Sequence, residues 1–228
     1  MTEIFGLPGE VFLMWSSAFF YAVATILLLV SFGREKTELM YSFLAFLLGM
    51  AFFHIFLGAG FYTGNMLLIH LGSFAALTGA TFTLKFPLTV LSEPQRKPIF
   101  YSALAISWLI IVYLLVFPHD AQTMLWLVLG YMIIVSGGIA GTYIIWQGMN
   151  AKETWVKVKC IGGGGGLFIC CFVADALVLM SGVTFLSEFF MMLAPVVLIS
   201  SIYAGRYLQK VSENKVSSGA PSPISAKK

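Results

Sequence analysis

Charge is what this sequence has least of. Only 10% of its 228 residues are Asp, Glu, Lys or Arg, against 59% hydrophobic residues and a mean hydropathy of +0.93. Soluble domains carry about 25% charge. So little polar surface cannot cover a water-soluble globule, which leaves lipid as the solvent and no length for a folded aqueous domain. Cysteine is scarce as well. Cys160, Cys170 and Cys171 all lie in or beside one apolar segment. They offer neither a disulfide framework nor zinc-finger spacing, and they read as buried, inert thiols. Met1 to Glu10 contains Glu3 and Glu10 and no Lys or Arg. A cleaved leader needs a basic start and a small-residue cleavage site, so the stretch from Val11 to Phe32 is expected to be a retained first helix.

A further absence is positional. Basic residues are missing from every second gap between apolar segments. The gaps at Arg34 and Lys36, at Arg96 and Lys97, at Lys152, Lys157 and Lys159, and the tail from Arg206 to Lys228 hold 12 of the 13 Lys and Arg. The gaps near Tyr62, His119 and Val183 hold none. The alternation predicts an all-α integral membrane protein, a seven-transmembrane-helix bundle with its N-terminus outside and its C-terminus cytoplasmic. The net charge of +3 is a by-product of that bias and implies no nucleic-acid partner. The predicted spans are about 11–32, 39–62, 65–91, 99–117, 123–148, 160–181 and 184–208. Residues 1–210 form the transmembrane domain. Residues 211–228, rich in Ser, Pro, Ala and Lys, are expected to be a disordered cytoplasmic tail. The partner of the domain is the lipid bilayer, and the expected location is the plasma membrane of a prokaryote.

What is present is a small set of polar residues at matched depth. His54 lies about eight residues before the turn near Tyr62 and His70 about eight after it, roughly 10 Å inside the outer end of two adjacent helices. Asp175 and Glu188 flank the turn at Gly182 in the same way, at about the same depth. Intramembrane ionisable groups face the bundle interior by default and mark functional sites. Two His and two carboxylates suit a divalent metal such as zinc. The same four could form a proton-responsive cluster, or each could pack singly against a neighbouring helix. Depth follows from spacing; facing does not. Glu10, His119 and Asp120 add polar groups at the mouth. Lys85 lies within snorkelling reach of the inner interface. The run Gly162 to Gly166 predicts close packing against Gly137, Gly138 and Gly141 on the fifth helix. Pro195 is expected to free the carbonyl of Met191 and bend the last helix.

Seven helices with an outer N-terminus invite comparison with rhodopsins, whose photochemistry needs a Schiff-base Lys in the last helix. Phe185 to Leu208 contains none. The membrane zinc hydrolases related to adiponectin receptors use three His, and this chain has two within its spans. In topology the chain resembles the seven-helix sensory modules that precede histidine kinases in bacteria. That resemblance implies a receptor-like or sensory protein signalling through a separate cytoplasmic partner, to which the four polar residues add the expectation of a polar, cation- or proton-responsive pocket in its outer half. A membrane metalloenzyme or redox protein using the same His and acids, or a small ion-coupled transporter, are the alternatives.

Overall fold

Lipid offers no water to backbone N–H and C=O groups, so a spanning chain must satisfy them internally, and helix does this segment by segment. A computed structural model describes residues 3–4, 7–32, 38–181 and 184–217. Among the described residues seven helices are long and apolar enough to cross a membrane: Gly9–Ser31, Met40–Thr63, Met66–Val90, Glu93–Val116, Trp126–Asn150, Thr154–Met180 and Leu186–Asn214. They are called the first to seventh helices below. A two-residue antiparallel strand pair, Glu3–Ile4 with Leu7–Pro8, precedes the first.

The polarity is that of a multi-pass membrane protein. Ser17, Ser42, His54, Thr81, Ser107, Ser136 and Asp175 are buried, while Phe19, Ile26, Val30, Leu109 and Val116 are exposed. Several hydroxyls return to their own helices: Thr25, Ser73 and Thr81 each donate to the carbonyl four residues back. Contacts run from first to second, second to third, third to fifth, fifth to sixth, sixth to seventh and seventh back to first, which closes a ring. The fourth helix packs mainly on the third, outside that ring. Only 17% of its most apolar window is buried, against 61% in the second and third. Tyr131 of the fifth helix holds it in place, donating to the Ala103 carbonyl at 2.9 Å and sharing a hydrogen bond with Thr81 at 2.8 Å.

Several helix ends run beyond the expected spans, because hydropathy registers only the lipid-facing part. The helix of the fourth span begins at Glu93, where Pro94 in the first turn lacks only a donor that would be unpaired anyway. The sixth begins at Thr154, so Lys157 and Lys159 are helical. The seventh continues as far as Ser217, and within it Gln209 donates to Glu213 one turn on. Residues 211–217 are therefore helix, not tail; residues 218–228 lie outside the described residues. Pro195 is carried within this helix, which remains α-helical from Thr184 to Ser217. Pro87 acts more strongly. After Phe82 the third helix tightens into 3-10 turns at Thr83–Lys85 and Pro87–Val90. The proline ring crowds the Thr83 carbonyl and supplies no N–H. The ammonium of Lys85 sits 5.0 Å from the Phe82 ring centroid and 5.5 Å from that of Phe100, a cation–π setting on its way to the interface.

Two helices change pitch. The fifth is π-helical from Ile133 to Gly141 and the sixth from Ile169 to Ala174. The two wide segments touch: a Cβ on Gly137 would lie 3.1 Å from the backbone nitrogen of Phe172. The glycine run, by contrast, is regular helix. Its members face different neighbours. A Cβ on Gly164 would stand 2.7 Å from the Gly141 carbonyl of the fifth helix, which is the expected contact. A Cβ on Gly166 would be 3.0 Å from the Ala194 carbonyl of the seventh, and one on Gly163 would be 2.7 Å from Phe43 of the second. Gly165 faces open space. The run thus lets three helices approach the sixth at once.

The difference between neighbouring glycines is measurable. Gly164→Leu is expected to destabilise the detergent-solubilised protein by about 1–3 kcal/mol through overpacking. Gly165→Ala is expected to stabilise by up to about 1 kcal/mol through helix propensity. Thermal unfolding of the two variants checks the pair; equal effects would contradict this packing.

Candidate functional site

Four helices place polar groups in the half of the bundle that lacks Lys and Arg. On the first helix Ser17 and Tyr21, four residues apart, share a face, and both are fully buried. On the seventh Glu188 and Met191, three apart, share another. The first and seventh helices run parallel, so the two pairs meet in register. Ser17 Oγ donates to Glu188 Oε2 at 2.6 Å, and Tyr21 Oη lies 3.9 Å from Met191 Sδ. The second helix brings His54, buried to 1% exposure, with Nδ1 3.8 Å from the same Glu188 oxygen. That separation suits an ion pair at its outer limit and is too long for a hydrogen bond. The imidazole stacks on Tyr21, 15° from parallel with centroids 5.7 Å apart, and meets Phe53 edge-on at 5.2 Å. The sixth helix adds Cys170, whose Sγ is 2.9 Å from Tyr21 Oη, and Asp175, which is fully buried.

The cluster is under-satisfied. Both ring nitrogens of His54 and both carboxylate oxygens of Asp175 are buried without a hydrogen-bond partner among the described residues. Asp175 lies within electrostatic range of Cys170 and Glu188. Buried polar atoms are nearly always paired with protein, water or ion, and an exception marks a place built to take something.

His70 belongs elsewhere. Its Nδ1 lies 2.7 Å from the Met66 carbonyl, one turn back on the third helix. Its ring meets His119 nearly at right angles, with centroids 5.5 Å apart. His119 Nδ1 in turn lies 3.0 Å from the Phe117 carbonyl. The Nε2 atom of each ring is buried without a partner among the described residues. Next to them Asp120 caps the fifth helix, accepting from the Thr123 N–H at 2.6 Å.

Of the four residues expected to form one metal shell, the structure thus joins His54 to Glu188, sets Asp175 close by, and pairs His70 with His119. Among the described residues no group of three or more His, Cys, Asp or Glu side chains is arranged to hold a metal ion. Ser17, Tyr21, Cys170 and Met191 were not foreseen as pocket residues. Their signal was present but ambiguous: a Ser, a Tyr, a Cys or a Met in an apolar helix packs against neighbours far more often than it lines a site. No family model, curated protein or solved structure matches the chain. Function is therefore argued from this geometry.

The cap at the mouth gives a pH prediction. The hydrogen bonds with Thr123 hold the Asp120 carboxyl below its ordinary value of 3.8. A folded-state value below the unfolded one adds stability that is complete above the ordinary value and is lost as pH falls through the folded value. Asp120→Ala is expected to lower the unfolding midpoint at neutral pH, with the gap to the parent closing in acid. Asp120→Asn, an equally good cap, should lower it little at neutral pH. Unfolding curves across pH check this; a gap that stays constant into acid would contradict it.

Proposed function

We propose that the chain is a receptor-like sensory membrane protein whose pocket, between the first, second, sixth and seventh helices, responds to a proton or a cation. The observation that carries this reading is His54 and Glu188 at 3.8 Å beside the unpartnered carboxylate of Asp175. With both carboxylates ionised and the imidazole neutral, the pocket would hold two uncompensated negative charges. Two protons, one divalent cation, or a proton with a monovalent cation would offset them. Charge at this depth is expensive, so a change in occupancy is coupled to a change in helix packing.

The sixth and seventh helices are suited to transmit that change. The sixth has its π segment beside the pocket and its glycine contacts further along; the seventh carries Pro195 and extends past the lipid-length span. By the basic-residue bias, the cluster lies in the non-cytoplasmic half and the signal reaches a separate cytoplasmic partner at the Lys- and Arg-rich end. The topological resemblance to bacterial sensory modules supports the plasma membrane of a prokaryote as the setting. An ion-coupled carrier is the second reading. It is favoured by the abutting π segments, since such irregular turns occur often at functional sites. A catalytic zinc centre on His54, His70, Asp175 and Glu188 is not proposed, because His70 is engaged with Met66 and His119.

Trp15 reports on the pocket, because its ring packs over Gly58, one turn from His54 on the second helix. With Trp108, Trp126, Trp146 and Trp155 replaced by Phe, Trp15 emission in lipid vesicles is expected to change with pH in a single transition. The midpoint should shift in Glu188→Gln, and the transition should vanish in His54→Phe. No transition in the parent, or one unchanged in both variants, contradicts the reading. Uptake of a cation driven by a pH gradient would decide for the carrier.

A further inference from the structure

One turn deeper than the carboxylates lies a set of sulfur donors that the proposed proton or cation response does not use. Cys170 donates its thiol to Met191 Sδ across 3.4 Å, and Tyr21 Oη approaches the same two sulfurs at 2.9 and 3.9 Å. Cys171 is the next residue along the sixth helix. Cys170, Cys171 and Tyr21 are fully buried, and Met191 is 3% exposed. Both cysteines lie within the π-helical segment Ile169–Ala174.

We propose that Cys170 and Met191 form a binding site for a soft monovalent metal ion, Cu(I). The donor chemistry selects the ion. Thiolate and thioether sulfur favour Cu(I), whereas zinc wants four ligands drawn from thiolate, imidazole and carboxylate. Charge selects it as well. Binding releases one proton: Cys170–SH and Cu⁺ give Cys170–S–Cu and H⁺, with no electron transferred. The formal charge of the fully buried site is unchanged, whereas a divalent ion on one thiolate would leave a positive charge in a low-dielectric interior. The geometry needs little adjustment. With metal–sulfur bonds of about 2.3 Å at a trigonal angle, two sulfurs stand ~4.0 Å apart, about half an ångström more than Cys170 and Met191. The flexible Met side chain can supply that movement. A soft ion here would sit beside Tyr21, on whose ring His54 stacks, so its arrival would be felt in the pocket above.

The site does not depend on the proposed sensory reading, and the two fail separately. The full chain, purified in detergent under reducing, oxygen-free conditions, is offered Cu(I) from a chromophoric chelator of known affinity. One equivalent is expected to transfer to each chain. Met191→Leu, close in volume, should weaken transfer at least tenfold, and Cys170→Ser should abolish it. Cys160→Ser should leave it unchanged, as should a hundredfold excess of Zn²⁺. Absorption at the copper edge should show sulfur neighbours alone. No transfer to the monodisperse parent protein, transfer unchanged in Met191→Leu, or a shell of nitrogen and oxygen would each overturn the proposal. Should Cys170→Ser fail to fold, Met191→Leu and the copper-edge spectrum still decide it.

Discussion

The seam between the first and seventh helices is the constraint on which the rest of the structure depends. In lipid, helices gain no hydrophobic energy by meeting, because acyl chains are as apolar as Leu. Closing a ring of helices therefore falls to shape and to polar contacts. Ser17 donates to Glu188 at 2.6 Å near one end. Near the other, Ser31 donates to Tyr203 at 2.8 Å, Tyr203 to the Leu27 carbonyl at 3.1 Å, and Arg206 to the Ser31 carbonyl at 2.8 Å. The last contact places a cation on the final turn of the first helix, where free carbonyls and the helix dipole both favour it. The stretches between the clasps, from Ser17 to Ser31 and from Glu188 to Tyr203, are almost equal in length. The two helices are thereby locked parallel and in register, and that register brings Tyr21 to Met191 and Glu188 within range of His54.

Within the ring, rigidity and adaptability are divided along the sixth helix. Toward the basic end, glycine packing leaves no room for a Cβ at Gly164 and little at Gly163 or Gly166. Toward the other end, the π segment carries Cys170 and Cys171 and leads into Asp175. A helix held firmly over one half and irregular over the other concentrates any rearrangement where the unpartnered polar groups lie. Hard donors occupy the upper layer, with His54, Glu188 and Asp175, and soft donors the lower, with Cys170 and Met191. The stacked pair of Tyr21 and His54 joins the two.

Much of this was legible in the amino-acid sequence. Spans follow from length and hydropathy, neither of which requires knowing which way a side chain points. Depth was legible too, since the rise per residue is constant: His54 and Glu188 were expected level, and they meet. Facing was not legible. A soluble helix shows its inner face by contrast with a polar outer one. Here both faces are apolar, so nothing on the second or third helix shows that His54 turns inward while His70 turns toward His119. The π segments added a second obstacle. Widening a turn rotates the residues that follow it, so helical spacing projected through Ile133–Gly141 or Ile169–Ala174 loses phase. The glycine run declared close packing correctly against the fifth helix but gave no sign that the second and seventh would join it. The inert reading of the cysteines came from burial habits alone and contained no information about the methionine across the seam.

The most direct test of the account is cross-linking along that seam. In a background with Cys160, Cys170 and Cys171 replaced by Ala, the pair Ser17→Cys and Glu188→Cys should form a disulfide rapidly on mild oxidation in native membranes. Phe19→Cys with Glu188→Cys should not, because Phe19 is exposed on the lipid face. Rapid bonding of the first pair and none of the second is the predicted result. Failure of the first pair, or equal bonding of both, would contradict the register from which the pocket is built.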